Sequence, residues 1–193
     1  HTKGRIYHRD DSLFRKGDLD SLFLAGSDQL ALSNVLADRK GCYFHSSGIR
    51  MGDDGFIFIG HSGAGKSTIA KMMRQDAELL CDDRNIVRKW PDGIRIHGTW
   101  SHGELSDVSP AEAPLRAAFF LVQDTKNYLV PIRSHKEITL KLMENLVVPV
   151  TTTGWWNNIF GLFEELVSEV PFYDLHFDKS GGVVDVVKNL RRS

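Results

Sequence analysis

Apolar residues recur along the chain at two spacings, and the switches between them mark out the elements. Leu30, Leu32, Val35 and Leu36 fall at helical intervals behind Ser27 or Asp28 as N-cap, with Gly41 past the end, which predicts a helix. Before it the chain is polar, with short strand-like pieces around Arg5 to Tyr7 and Leu22 to Leu24. Cys42 to Arg50 reads as a strand that turns at Gly52-Asp53-Asp54 into the apolar run Gly55 to Ile59. A helix pattern follows, in which Ile69, Met72 and Met73 are apolar and Lys71, Arg74 and Gln75 polar. Glu78 to Cys81 is a short strand. Ile86 to Trp90 and Ile94 to Thr99 flank the turn Pro91-Asp92-Gly93 as a hairpin.

Ala117 to Val122 and Tyr128 to Ile132 add two more strands. One helix then opens with Ser134 and Glu137 at capping-box spacing and carries Ile138, Leu142, Met143 and Leu146. Another carries Ile159, Phe163, Leu166 and Val170. A final hairpin is expected to pair Asp174 to Phe177 with Val183 to Val186 across Ser180-Gly181-Gly182. The alternation predicts an α/β fold, a mixed β-sheet with flanking helices, and the apolar stripes are its core.

Composition narrows the class. The 193 residues are 41% hydrophobic and 25% charged with a formal net charge of −1, as expected of one soluble globular domain. No apolar run approaches a membrane span and the start does not resemble a signal peptide, so the expected location is cytoplasmic, with no membrane partner. Near-neutral charge and short basic clusters (Arg84, Arg88 and Lys89; Lys188, Arg191 and Arg192) give no footprint for nucleic acid. Cys42 and Cys81 read as buried free thiols rather than a disulfide framework or a zinc site.

The chemistry begins at Gly60 to Ser67. Gly-His-Ser-Gly-Ala-Gly-Lys-Ser satisfies the pattern Gly, any four, Gly-Lys-Ser/Thr, and it directly follows a strand and opens a helix. This is a P-loop in its expected setting, a pattern that chance would place in about one such chain in a hundred. Glycines let backbone N–H groups converge on phosphate oxygens, Lys66 offers a mobile cation, and the Ser67 hydroxyl suits Mg²⁺. Gly60, Ser62, Gly63, Ala64, Gly65, Lys66, Ser67 and Thr68 are therefore the expected contacts of a nucleoside triphosphate. The competing reading is a glycine-rich turn that binds nothing.

Asp82 and Asp83 form the second feature. A strand, a short helix and a returning parallel strand make a right-handed crossover, which brings both carboxylates to the sheet edge where Gly60 emerges. Phosphoryl transfer wants carboxylate there, one for Mg²⁺ and one for the proton of an attacking hydroxyl. The alternative is an acidic turn that merely ends the strand. His45, at the end of a strand leading to the loop, is either a proton partner or phosphate contact, or a structural histidine. The segment His97 to Glu104 gathers two histidines and a carboxylate. Within it Glu104 is a candidate metal ligand and His102 a phosphate contact, although His97, His102 and Glu104 fit no zinc spacing. Trp155 and Trp156 read as packing or as a substrate or subunit surface.

Taken together, Phe44-His45, the P-loop in the form Gly-x-Ser-Gly-x-Gly-Lys-Ser, and Leu80-Cys81-Asp82-Asp83 resemble the catalytic domain of HPr kinase/phosphorylase and its serine-kinase relatives, which share a core with PEP carboxykinases. The resemblance runs from about Cys42 to the C-terminus. It implies a P-loop kinase domain over 42–193, with 1–41 a polar segment plus helix left from a missing N-terminal domain. It also implies phosphates held by Lys66 and Gly63 to Gly65, Mg²⁺ by Ser67 and Asp82, proton acceptance by Asp83 with help from His45, and a homo-oligomer, in that family a hexamer. His61 and Thr68 stand where the regulator family has Asp and Glu, which turns the expectation toward relatives acting on serine in other peptides or on free serine.

The expected activity is ATP- and Mg²⁺-dependent transfer of the γ-phosphate to a serine hydroxyl of a protein or peptide. The alternatives are a small-molecule kinase or PEP carboxykinase-like enzyme on the same core, and a non-catalytic nucleotide-sensing module. GTPase and ABC-type readings lack their Asn-Lys-x-Asp and Leu-Ser-Gly-Gly-Gln motifs.

Overall fold

The computed structural model describes residues 27–149 and 151–192, so the strand pieces expected around Arg5 to Tyr7 and Leu22 to Leu24 lie outside the described residues. Two long strands, β1 (Gly41–Met51) and β6 (Glu112–Gln123), organise the sheet, because each pairs differently along its two halves. The first half of β1 is antiparallel to β4 (Arg84–Trp90), β4 to β5 (Gly93–His97), and β5 to the start of β6. The second half of β1 lies between β2 (Asp54–Ile59) and β3 (Glu78–Cys81), antiparallel to both. Strand β2 pairs in parallel with β6, so β2, β1, β4, β5 and β6 close on themselves. Beyond Leu115, β6 also runs parallel to β8 (Phe172–Phe177), which carries β7 (Tyr128–Pro131) antiparallel on its other side.

The chain therefore folds as a mixed α/β protein whose sheet is mostly antiparallel. Strands β2, β3, β6 and β8 point the same way, and their C-terminal ends share one edge. The expected return of β3 parallel to β2 holds in direction. The two are not neighbours, because β1 stands between them and hydrogen-bonds to both.

Helices cover both faces. Helix α1 (Ser27–Ala37), α3 (His135–Glu144) and α4 (Thr153–Glu169) lie on one, where Phe44, Ile57, Ile59, Ala118 and Phe120 meet Ile138, Leu142, Ile159 and Phe163. Helix α2 (Lys66–Met73) and α5 (Val183–Arg192) cover the other, where Phe56, Phe58, Ala117 and Phe119 meet Ile69, Met73, Val183 and Val187. Alternate residues of β2 and β6 thus feed two cores, and the continuous apolar runs in the sequence follow from burial on both faces. Ser134 caps α3 by accepting from the Glu137 N–H at 3.2 Å, as its spacing predicts. Thr152 does the same for α4. Cys42 and Cys81 are buried free thiols. Among the described residues, no helix is long and apolar enough to cross a membrane.

Two details differ from expectation. Val183 to Val186 is not a strand pairing with Asp174 to Phe177 but the first turn of α5. Both edges of β8 are already taken, by β6 and β7. Val183, Val187 and Leu190 recur at helical spacing against the core, and that period overrides the strand preference of valine. At the end of α1 the left-handed residue is Lys40, φ 55°, rather than Gly41. Gly41 instead lets the backbone pass close to Leu36 and Arg88, which an added Cβ would meet at 3.2 and 3.3 Å.

Phe119 is fully buried between Phe56, Phe58 and Tyr173. Phe119→Ala is expected to lower unfolding free energy by about 3–5 kcal/mol in urea titration. Gly161→Ala, at an exposed position of α4 where a Cβ meets nothing within 4 Å, should raise it by about 0.5–1 kcal/mol.

Candidate active site

The glycine-rich loop spans the gap from the end of β2 to the start of α2, and its shape follows from three local constraints. Gly63 and Gly65 take φ of 80° and 108°, which other residues rarely adopt. Gly65 also rests on the Phe177 ring, which an added Cβ would approach to 2.5 Å. Gln123, at the end of β6, donates to the Gly63 carbonyl at 2.8 Å. Helix α2 begins at Gly65 without a side-chain cap, so its first N–H groups face the loop interior. Lys66 folds back and donates to the carbonyls of Gly60 and His61 at 2.9 and 3.0 Å. Burial pulls its ammonium below the usual lysine range, against the opposing pull of Asp83 and Asp82.

Asp82 and Asp83 sit in the bend between β3 and β4. The Cys81 sulfur accepts from the Asp83 and Arg84 N–H groups at 3.4 and 3.3 Å. The buried Asn85 amide ties the Cys81 carbonyl to Ser46 of β1. The same stretch of β1 serves both motifs: the His45 carbonyl accepts from Gly60 N–H at 3.4 Å, and Ser46 N–H donates to the Asp83 carbonyl at 2.9 Å. The acid pair and the loop therefore emerge at one edge, one on either side of β1.

The two carboxylates differ in environment. Asp82 is only 2% exposed; its Oδ2 accepts from Leu105 N–H at 3.0 Å, while its Oδ1 is buried without a hydrogen-bond partner. Asp83 has three partners: His45 Nε2 lies 3.4 Å from Oδ1, and Ser101 Oγ and Arg84 Nη1 lie 2.7 and 3.1 Å from Oδ2. The His45 contact first, then Ser101 and the Arg84 charge, pull its pKa down to about 2 although burial opposes them. Asp83 is thus a fixed, fully ionised hydrogen-bond acceptor.

A cleft of about 420 Å³ opens between these elements. His45, Ser62, Gly63, Gly65, Lys66, Ser67, Thr68, Asp82, Asp83 and Glu104 all border it, while Ala64 lies buried within the loop. Glu104 is exposed, its carboxylate 2.6 Å from Lys71. His97 is drawn away from the cleft, bonded to Glu112 at 2.9 Å and to Trp90 at 3.2 Å; burial lowers its pKa against the pull of Glu112. His102 is exposed beside its own Gly103 carbonyl. Among the described residues, no three His, Cys, Asp or Glu side chains stand together as a metal cage. Trp155 is core, donating to the Ser33 carbonyl at 3.3 Å, while Trp156 stacks on Phe160.

Sequence reasoning missed Ser101, Arg84, Gln123 and Lys179. Ser101 lies inside the conspicuous segment 97–104, and Arg84 directly follows the acid pair. Gln123 and Lys179 border the cleft only because β6 and β8 end beside the loop, and no local motif marks them.

No family model matches the chain, and no curated protein matches it. Among solved structures it is similar to the Hpr(Ser) kinase/phosphatase from Coxiella burnetii, with a TM-score of 0.46 and 11% identity over 78% of this chain and 88% of that one. What the cleft does rests on the residues that line it.

Loop 98–111 holds Ser101 and Leu105 against the acid pair, and it passes over β3 with no room at Gly98: an added Cβ would lie 1.9 Å from the Ser109 carbonyl oxygen and 2.8 Å from that of Leu80. Gly98→Ala is expected to cost about 1–3 kcal/mol in urea unfolding. An unchanged midpoint would mean that the loop is not held this tightly.

Proposed function

We propose that the chain, with 42–193 as its kinase unit, is an ATP- and magnesium-dependent kinase that transfers the γ-phosphate to a serine hydroxyl of a protein or peptide. The observation that carries this reading is the buried Oδ1 of Asp82, which has no hydrogen-bond partner, on a residue that borders the cleft together with Lys66 and Ser67. A buried carboxylate oxygen without a donor costs stability unless a ligand completes it.

The residues fit a triphosphate with its metal. Gly63 leaves open space where a Cβ would stand, and the uncapped start of α2 offers N–H groups and a positive dipole end. Ser67 and Asp82 would hold Mg²⁺, a hard cation that takes one or two protein oxygens beside phosphate, and it would neutralise charge on the outer phosphates. Glu104 would join them only by releasing Lys71.

Lys66 would exchange its two carbonyl partners for phosphate oxygens. Asp83 would orient the acceptor hydroxyl through Oδ1 and take its proton late, since its depressed pKa makes it a weak base; His45 borders the same oxygen. Ser101 and Arg84 would keep the carboxylate plane fixed. Loop 98–111 borders the acid pair and lends Gly103 and Glu104 to the wall of the cleft.

Incubation with γ-labelled ATP, Mg²⁺ and serine peptides, free serine or a cell lysate, followed by mass spectrometry, is expected to place phosphate on peptide or protein serine. Asp83→Asn and Lys66→Ala should each lower transfer by about 10²–10⁴ with unchanged circular dichroism. Wild-type turnover in either variant rejects the roles of Asp83 and Lys66 in transfer.

Saturating ATP with Mg²⁺ should raise the melting temperature of the wild type, and EDTA should remove most of that gain. Asp82→Asn, which can keep the bond from Leu105 N–H, should show little metal-dependent gain. A full metal-dependent shift in Asp82→Asn would exclude Asp82 as the ligand.

A further inference from the structure

One buried hydroxyl of β1 has no part in the site described above. Ser47 is fully buried and its Oγ has no hydrogen-bond partner, the same condition as Oδ1 of Asp82. Four buried side-chain oxygens stand so among the described residues, and the ladder sets these two opposite one another. The register that pairs His45 with Arg84 also pairs Gly48 with Cys81, so it places Ser46 opposite Asp83 and Ser47 opposite Asp82. Ser46 N–H donates to the Asp83 carbonyl at 2.9 Å, as that register requires. Antiparallel pairs alternate, so Ser47 and Asp82 occupy a position without backbone bonds between them, where facing side chains approach most closely.

The two side chains also share a face. Ser46 pairs in β2 with Ile59 of one core, and Ser47 pairs with Phe58 of the other, the core that holds Ile49 and Leu105. The bend turns Asp83 toward His45, but Asp82 meets the Ser47 face, where Leu105 N–H donates to its Oδ2. One oxygen of Asp82 is thus fixed from loop 98–111, and the other is left toward β1.

We infer that Ser47 is a positioning residue for this carboxylate: its hydroxyl donates to one lone pair of Asp82 Oδ1 when the other lone pair holds the cation. The inference rests on the metal-dependent nucleotide reading above. A carboxylate oxygen accepts twice, and a serine O–H rotates to find its acceptor. With Leu105 N–H on one oxygen and Ser47 on the other, the carboxylate plane is fixed before the cation arrives. An apolar residue would fill this position without burying a hydroxyl that nothing satisfies, so serine here costs stability that the empty site does not return. Carboxylates that ligate a metal are themselves held by hydrogen bonds, and losing such a partner costs about 10–100-fold in metal affinity.

The test compares the affinity of the whole chain for ATP in Mg²⁺ with its affinity for ATP in EDTA, the ratio isolating what the metal contributes. Ser47→Ala should lower that ratio by about tenfold or more and leave the affinity in EDTA unchanged. A role confined to packing would move both affinities together or neither. Ser47→Cys, close to serine in shape but a weaker donor, should show the same loss, and it serves if the alanine variant does not fold. In an Asp82→Asn background Ser47→Ala should add nothing, since the hydroxyl acts through that carboxylate. An undiminished ratio in a folded Ser47 variant overturns the inference, and so does a further loss in the Asp82→Asn background. If Asp82→Asn removes the metal dependence while the Ser47 variants keep it, only the Ser47 assignment falls. If wild type binds ATP equally in Mg²⁺ and EDTA, or does not bind it, the metal-dependent reading falls and the inference with it.

Discussion

The arrangement depends on a single stretch of backbone. The His45 carbonyl accepts from Gly60 N–H on one side of β1 and Ser46 N–H donates to the Asp83 carbonyl on the other, so the loop and the acid pair are fixed to adjacent residues. Because β2 and β3 flank one strand and point the same way, their ends must open at one edge, and the distance between the motifs is set by strand spacing rather than by side-chain packing. The buried Asn85 amide, bonded to Ser46 and to the Cys81 carbonyl, fixes the bend against slippage along β1.

Two cores of unequal character support that edge. On the α2 face Phe56, Phe119 and Phe58 stack in a row within the core that also holds Ile69 and Met73 of α2. Phe177, in the same core, lies directly against Gly65. That ring leaves no room for a side chain at Gly65, whereas a Cβ at Gly63 would meet nothing within 4 Å. On the opposite face α4 packs by aliphatic and aromatic contacts, with Phe163 stacked on Phe44 beside His45.

Much of this is legible in the sequence because the features are local. The strand, the glycine pattern and the helix after it are contiguous, and the acid pair lies one helix further on. Ser134 announces its helix because capping is decided within one turn. What sequence cannot show is what distant strands deliver. Gln123 and Lys179 reach the cleft through the parallel pairing of β6 with β2 and β8, a register that no motif encodes. The valines before Lys188 mislead because their propensity favours a strand, whereas β8 has no free edge to offer them. Ser101 falls between: its segment is conspicuous, but its bond to Asp83 exists only once loop 98–111 is folded across β3.

The closure of β2, β1, β4, β5 and β6 into a ring bears on how the protein behaves at high concentration. Among the described strands only β3 and β7 lack a neighbour along one side, each is four residues long, and β7 ends at Pro131. A strand that short, or one terminated by a residue with no N–H, is a poor template for recruiting another chain. Strands this rich in phenylalanine and isoleucine would be prone to assemble into fibrils if left open, and the fold keeps them from presenting a growing end.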